Sequence, residues 1–329
     1  MNKTNKLATL HTYSKFILAA SMLAIAGGVF ATESYPTRTV TMVVPYPPGA
    51  ASDTIARLIA AKLQKAWGQN VVVQNKPGAV GVIGATYVAK APPDGYTVLV
   101  SNTSLIQLPS MMTMPFDTFK DLAPVVQTVR IANLFVVPNA SPFKSLDDFV
   151  KMAKQKPGEL NYGTWGAGSS AHIHGEMLSQ QTGTKLVQVP FQGSAPMMTN
   201  LIGSQINSGI ADVASVKPHA ESVRVLAVTG PARVAAFPDV PTFTELGYKS
   251  FDAQGWHGLF MPAGTPTVIV DKMSAEVDRI LKEDDVREKI ESLGVQPGGG
   301  TAQEFRTAMQ KDAKTYAEII KVANIRLNQ

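Results

Sequence analysis

Residues able to do chemistry cluster at short loops rich in small side chains. Tyr46-Pro47-Pro48-Gly49-Ala50-Ala51-Ser52-Asp53 runs from a β-branched stretch into a helical pattern. A loop of this kind offers unpaired backbone N–H groups and the positive end of a helix dipole, which together suit a carboxylate or a phosphate. Asp53 in the first turn would repel a phosphate placed there, and its plainer role is to complement the dipole. A carboxylate held through water is the more comfortable guest. Gly163-Thr164-Trp165-Gly166-Ala167-Gly168-Ser169-Ser170-Ala171-His172 repeats the plan, with two hydroxyls at a helix start. One of Ser169 and Ser170 is expected to cap its own helix. Gln192-Gly193-Ser194 stands at a further helix start, Asp212 at a strand end, and Ser101-Asn102-Thr103 after another strand, at the edge where open α/β sheets bind ligands.

Other chemistries fit less well. His172, His174 and Glu176 invite a metal, but histidines two apart on a helix face different ways, so only His172 and Glu176 share a face and no third ligand is in view. No metal is expected. A secreted serine hydrolase, with Ser169 or Ser170, His172 and Asp212, is the alternative reading, although the Gly-x-Ser-x-Gly elbow is missing. Neither Gly-x-Gly-x-x-Gly nor a phosphate loop occurs, so no nucleotide cofactor is expected. The absence of cysteine excludes disulfides, thiolate metal sites and a cysteine nucleophile.

The elements that would position these loops alternate. Strands are expected at Thr39–Pro45, Val71–Val73 and Thr97–Val100, with a helix capped by Ser52 after the first and another over Gly81–Ala91. A second unit starts near Leu134, with strands at Leu134–Pro138, Leu160–Thr164, Lys185–Val189, Ile206–Ala211 and Val223–Val228. Helices there are opened by Ser145 with Asp148 three residues on, by Ser169, and after Gly193. Trp256–Met261 reads as a strand, and the tail as helices only, after Pro266 and after Thr301 with Glu304 in capping-box spacing. Buried runs alternating with helices predict parallel sheets. The tail helices cannot stand alone and are expected to return to the first sheet. The result is an α/β chain of two lobes with two crossovers and a ligand cleft between them: residues 32–132 and 258–329 as lobe 1, and 133–257 as lobe 2.

Residues 1–31 read as a cleavable secretory signal. Lys3, Lys6 and Lys15 precede an uncharged run, Phe16 to Phe30, too short to span a bilayer with ease, and the cut is placed after Ala31. The chain has 329 residues and a formal net charge of +5. Without the three leader lysines the balance is 27 basic to 25 acidic residues, so the charge is no nucleic-acid footprint. The expectation is an exported, periplasmic protein that binds no nucleic acid.

The stretches TMVVPYPPGAASDTIARLIA, VVVQNKPGAVGVIGA, PPDGYT, GTWGAGSSAHIHGE, VPFQGSAPMMTNLIG, VRVLAVTGPARVAAFPDVPTFTELGY and WHGLFMPAGTP, in this order, resemble the extracytoplasmic solute receptors of tripartite tricarboxylate transporters, the Bug family. The resemblance implies a periplasmic binding protein fold of type II and a monomeric, non-enzymatic receptor. It further implies capture of a small carboxylate for a permease of one small and one large subunit. It also implies that the loop with Tyr46, Pro48, Gly49, Ala50 and Asp53 holds a ligand carboxylate, partly through water. The facing lobe would add Ala167, Gly168, Ser169, Ser170 and His172, with Gln192, Gly193, Ser194 and Asp212 further in. Ala50, Val80 and Asn200 depart from the family pattern, where glycines or an acid are usual, and the last two are not expected to touch the cleft. A dicarboxylate would use anion sites on both lobes, an aromatic acid would lie on Tyr46, Phe191 or Trp256, and an amino acid would set its ammonium against Asp212.

Overall fold

A computed structural model describes residues 35–49, 51–191, 193–252, 254–322 and 325–326. The secretory signal expected over residues 1–31 lies outside the described residues. Lobe 1 is built on a six-stranded sheet ordered β11-β4-β10-β3-β1-β2, and lobe 2 on a five-stranded sheet ordered β7-β6-β8-β5-β9. In the first, β1 (Val40–Val44) lies parallel to β2 (Val71–Asn75) and β3 (Thr97–Asn102). In the second, β6 (Asn161–Thr164) lies parallel to β7 (Val187–Pro190) and β8 (Ser208–Asp212).

The sheets are mixed, not parallel as expected, and the reason is the path between lobes. β4 (Leu122–Ile131) leaves lobe 1, Ala132 crosses, and β5 (Asn133–Pro138) enters lobe 2. β10 (Gly255–Pro262) comes back beside β4, so the two must run antiparallel, with Gly255 opposite Ile131. β5 is likewise antiparallel to β8 and to β9 (Val223–Val228). The two crossings, at Ala132 and just before Gly255, therefore sit side by side as a hinge. Gly255–His257, which the sequence reading gives to lobe 2, are strand residues of the lobe 1 sheet.

Helices fill in around the sheets. α1 (Ala51–Trp67) buries Ile55, Ile59 and Leu63 at the i, i+4, i+8 spacing that one helical face demands. Ser52 lies inside its first turn and does not precede it as a cap. α2 (Val82–Ala89) follows a tight turn, and α3 (Ser104–Gln107) follows β3. In lobe 2, α4 (Leu146–Gln155) opens with the expected capping box, and α5 (Ser170–Thr182), α6 (Ser194–Ile202) and α7 (Val213–Val216) each start at the carboxyl end of a strand. The tail returns to lobe 1 but is not purely helical. Between α8 (Thr267–Leu281), α9 (Asp284–Ser292) and α10 (Ala302–Val322) runs β11 (Gln296–Gly299), paired to β4. Lacking any strand-forming side chain of its own, β11 is made by its partner.

Candidate functional site

On lobe 1 the loop after β1 is held from beneath. The Asp53 carboxylate, 4 % exposed, accepts from Gly49 N–H at 2.9 Å, from Asn75 Nδ2 at 2.8 Å and from Arg57 Nε and Nη2 at 3.0 Å each. Burial pushes its pKa up, but the Arg57, Gly49 and Asn75 bonds outweigh this and hold it below the ordinary value. Asn75 Nδ2 also donates to Tyr46 O at 3.0 Å. These bonds make Asp53 a staple for the loop, fully occupied by the protein. Tyr46 Oη lies 3.0 Å from Ser104 Oγ, and Ser104 Oγ donates to Asn102 Oδ1 at 2.6 Å. The serine proton is thereby used, so Tyr46 is the donor in the first bond. Burial raises the Tyr46 pKa, against the opposing bonds to Ser104, Ser101 and Asn102, and keeps the phenol neutral.

On lobe 2 the loop after β6 turns through Gly166 and Gly168, both at positive φ, which costs little only without a Cβ. Ser169 caps α5: its Oγ accepts from His172 N at 3.3 Å and donates to Gly166 O at 2.7 Å. The His172 ring accepts from Gly168 N at 3.1 Å, and burial lowers its pKa, so it is neutral and occupied in the loop. Ser170 Oγ accepts from Gln107 Nε2 at 3.3 Å, a bond that reaches across from lobe 1. The start of α6 differs: Gly193 stands at φ 107 with no side chain capping the first turn. Asp212 caps α7 by accepting from Ser215 N at 2.8 Å.

Between the lobes lies a cavity of about 530 Å³. Of the residues expected from the sequence, Tyr46, Asn102, Thr103, Ala167, Gly168, Ser169, Ser170, Gly193, Ser194 and Asp212 line it. Pro48, Gly49, Asp53, Ser101 and His172 do not, and Ala50 and Gln192 lie outside the described residues. The lining also takes in Gln107, Asn133, Trp256 and His257, which sit in helices or strands and carry no loop signature, and Trp165 from the loop after β6. Val80 lines it too, against expectation. The turn before α2 swings back over the cleft, with Ala79 at φ 46 and Val80 at φ 53. Burial takes the His257 pKa down to about 4, which leaves that imidazole neutral, and among the described residues Asp212 is the one acid of the lining and no lysine or arginine joins it. An anion here would be held by hydroxyls, N–H groups and the starts of α5 and α6.

The other chemistries lack their geometry. The Ser169 and Ser170 hydroxyls bond to Gly166 and Gln107, and neither bonds the His172 ring, which a hydrolase triad requires. Glu176 is 3.9 Å from His172 but accepts from Tyr162 Oη at 2.7 Å. Among the described residues no three potential metal ligands gather.

Residues 55–325 match the family described as the tripartite tricarboxylate transporter family receptor. The chain belongs to this family. BugT of Bordetella pertussis is 32 % identical over 332 residues, covering 99 % of this chain and 100 % of its own. Among solved structures, an R. palustris protein with adipate is 35 % identical at a TM-score of 0.75, covering 89 % of this chain and 99 % of its own. MatC from Rhodopseudomonas palustris with bound malate is 29 % identical at 0.70, covering 87 % and 100 %. The tripartite transporter receptor is thus a solute-binding protein, and the two-lobed α/β architecture is that of its relatives.

Proposed function

We propose that this receptor captures a small dicarboxylate in the cleft, without chemical turnover, and delivers it in the periplasm to a permease of one small and one large subunit. The observation that carries the reading is the cavity lining: helix starts and neutral donors from both lobes with no cationic side chain. Two solved relatives hold adipate and malate, both dicarboxylates. Lining by Trp165, Trp256 and Tyr46 also leaves room for an aromatic acid, which the same test distinguishes. Both lobes that form the cavity belong to one chain, which supports a receptor that works as a monomer.

Thermal shift of residues 32–329 against mono-, di-, tri- and aromatic carboxylates tests this. A ligand that binds only the native state adds RT ln(1 + [L]/Kd), about 2.7 kcal/mol at a hundred times Kd. A dicarboxylate should stand out, and its effect should vanish in Ser170→Trp, where the indole fills the start of α5. No shift with any carboxylate at millimolar concentration would overturn the proposal.

A further inference from the structure

A side chain of lobe 1 reaches across the cavity to the start of a lobe 2 helix. Gln107 ends α3, where Leu105 and Ile106 are buried and Thr118 Oγ1 donates to Leu105 O at 2.7 Å. Gln107 itself is 3 % exposed, and its Nε2 donates to Oγ of Ser170, the first residue of α5, at 3.3 Å. Both residues line the cavity, and a bond from one lobe to the other runs along its wall. An amide NH2 can only donate, so Ser170 Oγ is the acceptor and its own proton turns elsewhere. Ser169 already caps α5, accepting from His172 N and donating to Gly166 O, so the helix has no use for Ser170 as a cap. Among the described residues no acceptor takes the Ser170 proton.

We propose that Gln107 is a positioning residue of the receptor: by donating to Ser170 Oγ it turns the serine proton into the cleft, where an oxygen of the bound acid accepts it. This rests on the carboxylate-receptor reading and deepens it. A carboxylate offers lone pairs only, so it suits a helix start where the backbone N–H groups and Ser170 all donate. A ligand group that must itself donate, such as an ammonium or a carboxamide NH2, meets the serine proton head-on. Gln107 and Ser170 belong to different lobes, so their bond exists only while the lobes are together. Closure therefore completes the selection for an acceptor, and an open cleft leaves the hydroxyl free to rotate.

Calorimetric Kd values for adipate and malate test this through a double-mutant cycle of Gln107→Met with Ser170→Ala. Methionine keeps the length of the side chain and removes the donor. With Ser170 in place, Gln107→Met should weaken the diacid about fivefold, the worth of one ordinary hydrogen bond; in the Ser170→Ala background it should change nothing. Gln107→Glu reverses the polarity, taking the serine proton and setting a negative charge beside the ligand. Measured against wild type at the same pH, its diacid affinity should be down by more than about tenfold at pH 9 and recover toward pH 6, where the protonated side chain is neutral and donates again. Equal affinity in Gln107→Met and wild type, or an equal loss in both serine backgrounds, overturns the assignment alone. So does a gain in Gln107→Met, which would mean that the serine proton points at Gln107, or a Gln107→Glu deficit that does not change with pH. A wild-type protein that binds no carboxylate overturns the receptor reading together with it.

Discussion

Asp53 shows how a residue of the expected loop serves it from behind. Its carboxylate gathers the Gly49 N–H, the Asn75 amide and the Arg57 guanidinium, so it shapes the loop and leaves the cavity to others. Arg57 is 52 % exposed, and a pair so open to solvent adds little; the backbone and amide bonds to a buried carboxylate matter more. Asp53→Asn keeps the shape but turns one acceptor into a donor facing donors. It should cost about 1–3 kcal/mol, the usual effect of leaving buried groups unpaired. The pH dependence has a definite sign. The folded pKa is depressed, so the stability that Asp53 contributes is present above the ordinary carboxylate range and is lost as pH falls through the folded value. Denaturant unfolding of both proteins at pH 7 and pH 3 checks this: the gap should be wide at pH 7 and narrow at pH 3. A gap that stays constant would rule out the ionised carboxylate as its source.

At the scale of elements, the turn before α2 carries a cost that one substitution can remove. Ala79 and Val80 both sit at positive φ, and Val80, 59 % exposed, packs little that its removal would forfeit. A β-branched residue in this region costs about 1–2 kcal/mol, whereas glycine gives back only some 0.5–1 kcal/mol in unfolded-chain entropy. Val80→Gly should therefore raise the melting temperature by a few degrees, read by calorimetry; a fall would mean that the turn is not held at positive φ. Elements with local causes were legible in the sequence. The Ser145–Asp148 and Thr301–Glu304 boxes open α4 and α10 as their spacing predicts, because caps act within four residues. β4 and β11 were not legible. β11 is Gln-Pro-Gly-Gly, and only pairing to β4, more than a hundred residues away, makes it a strand. The cavity divides along the same line. Ala167–Ser170, Gly193 and Ser194 stand in small-residue loops at helix starts, which a sequence displays, while Gln107, Asn133 and His257 join them only through the mixed pairing at the hinge.

For the whole molecule, the second crossing between lobes carries an ionisable cluster. α10 of lobe 1 brings Lys311 within 2.6 Å of Asp252, in the segment that leads into β10, and the next residue, Asp312, is partly buried beside them. Burial raises the Asp312 pKa to about 6; Lys311 and the Trp256 indole oppose this, and Asp252 adds to it. An acid whose folded value is raised binds more protons in the native than in the unfolded state between pH 4 and 6, so its contribution to stability falls as pH rises through that window and is flat above it. The buried imidazoles act the other way. His172 and His257 are held below their ordinary value, so the stability they lend is present above about pH 6.5 and is lost on acidification. The wild-type profile mixes both slopes over the same range, and its shape alone assigns nothing. The difference between Asp312→Asn and wild type isolates the carboxylate. The amide fills the same space and is neutral at every pH, so the variant should melt higher than wild type at pH 7.5 and together with it at pH 4. Calorimetry across that range gives the difference directly. Parallel profiles would mean that Asp312 is ionised without cost where the lobes meet. A difference that opens between pH 4 and 6 would mean that the receptor keeps a strained charge beside its hinge.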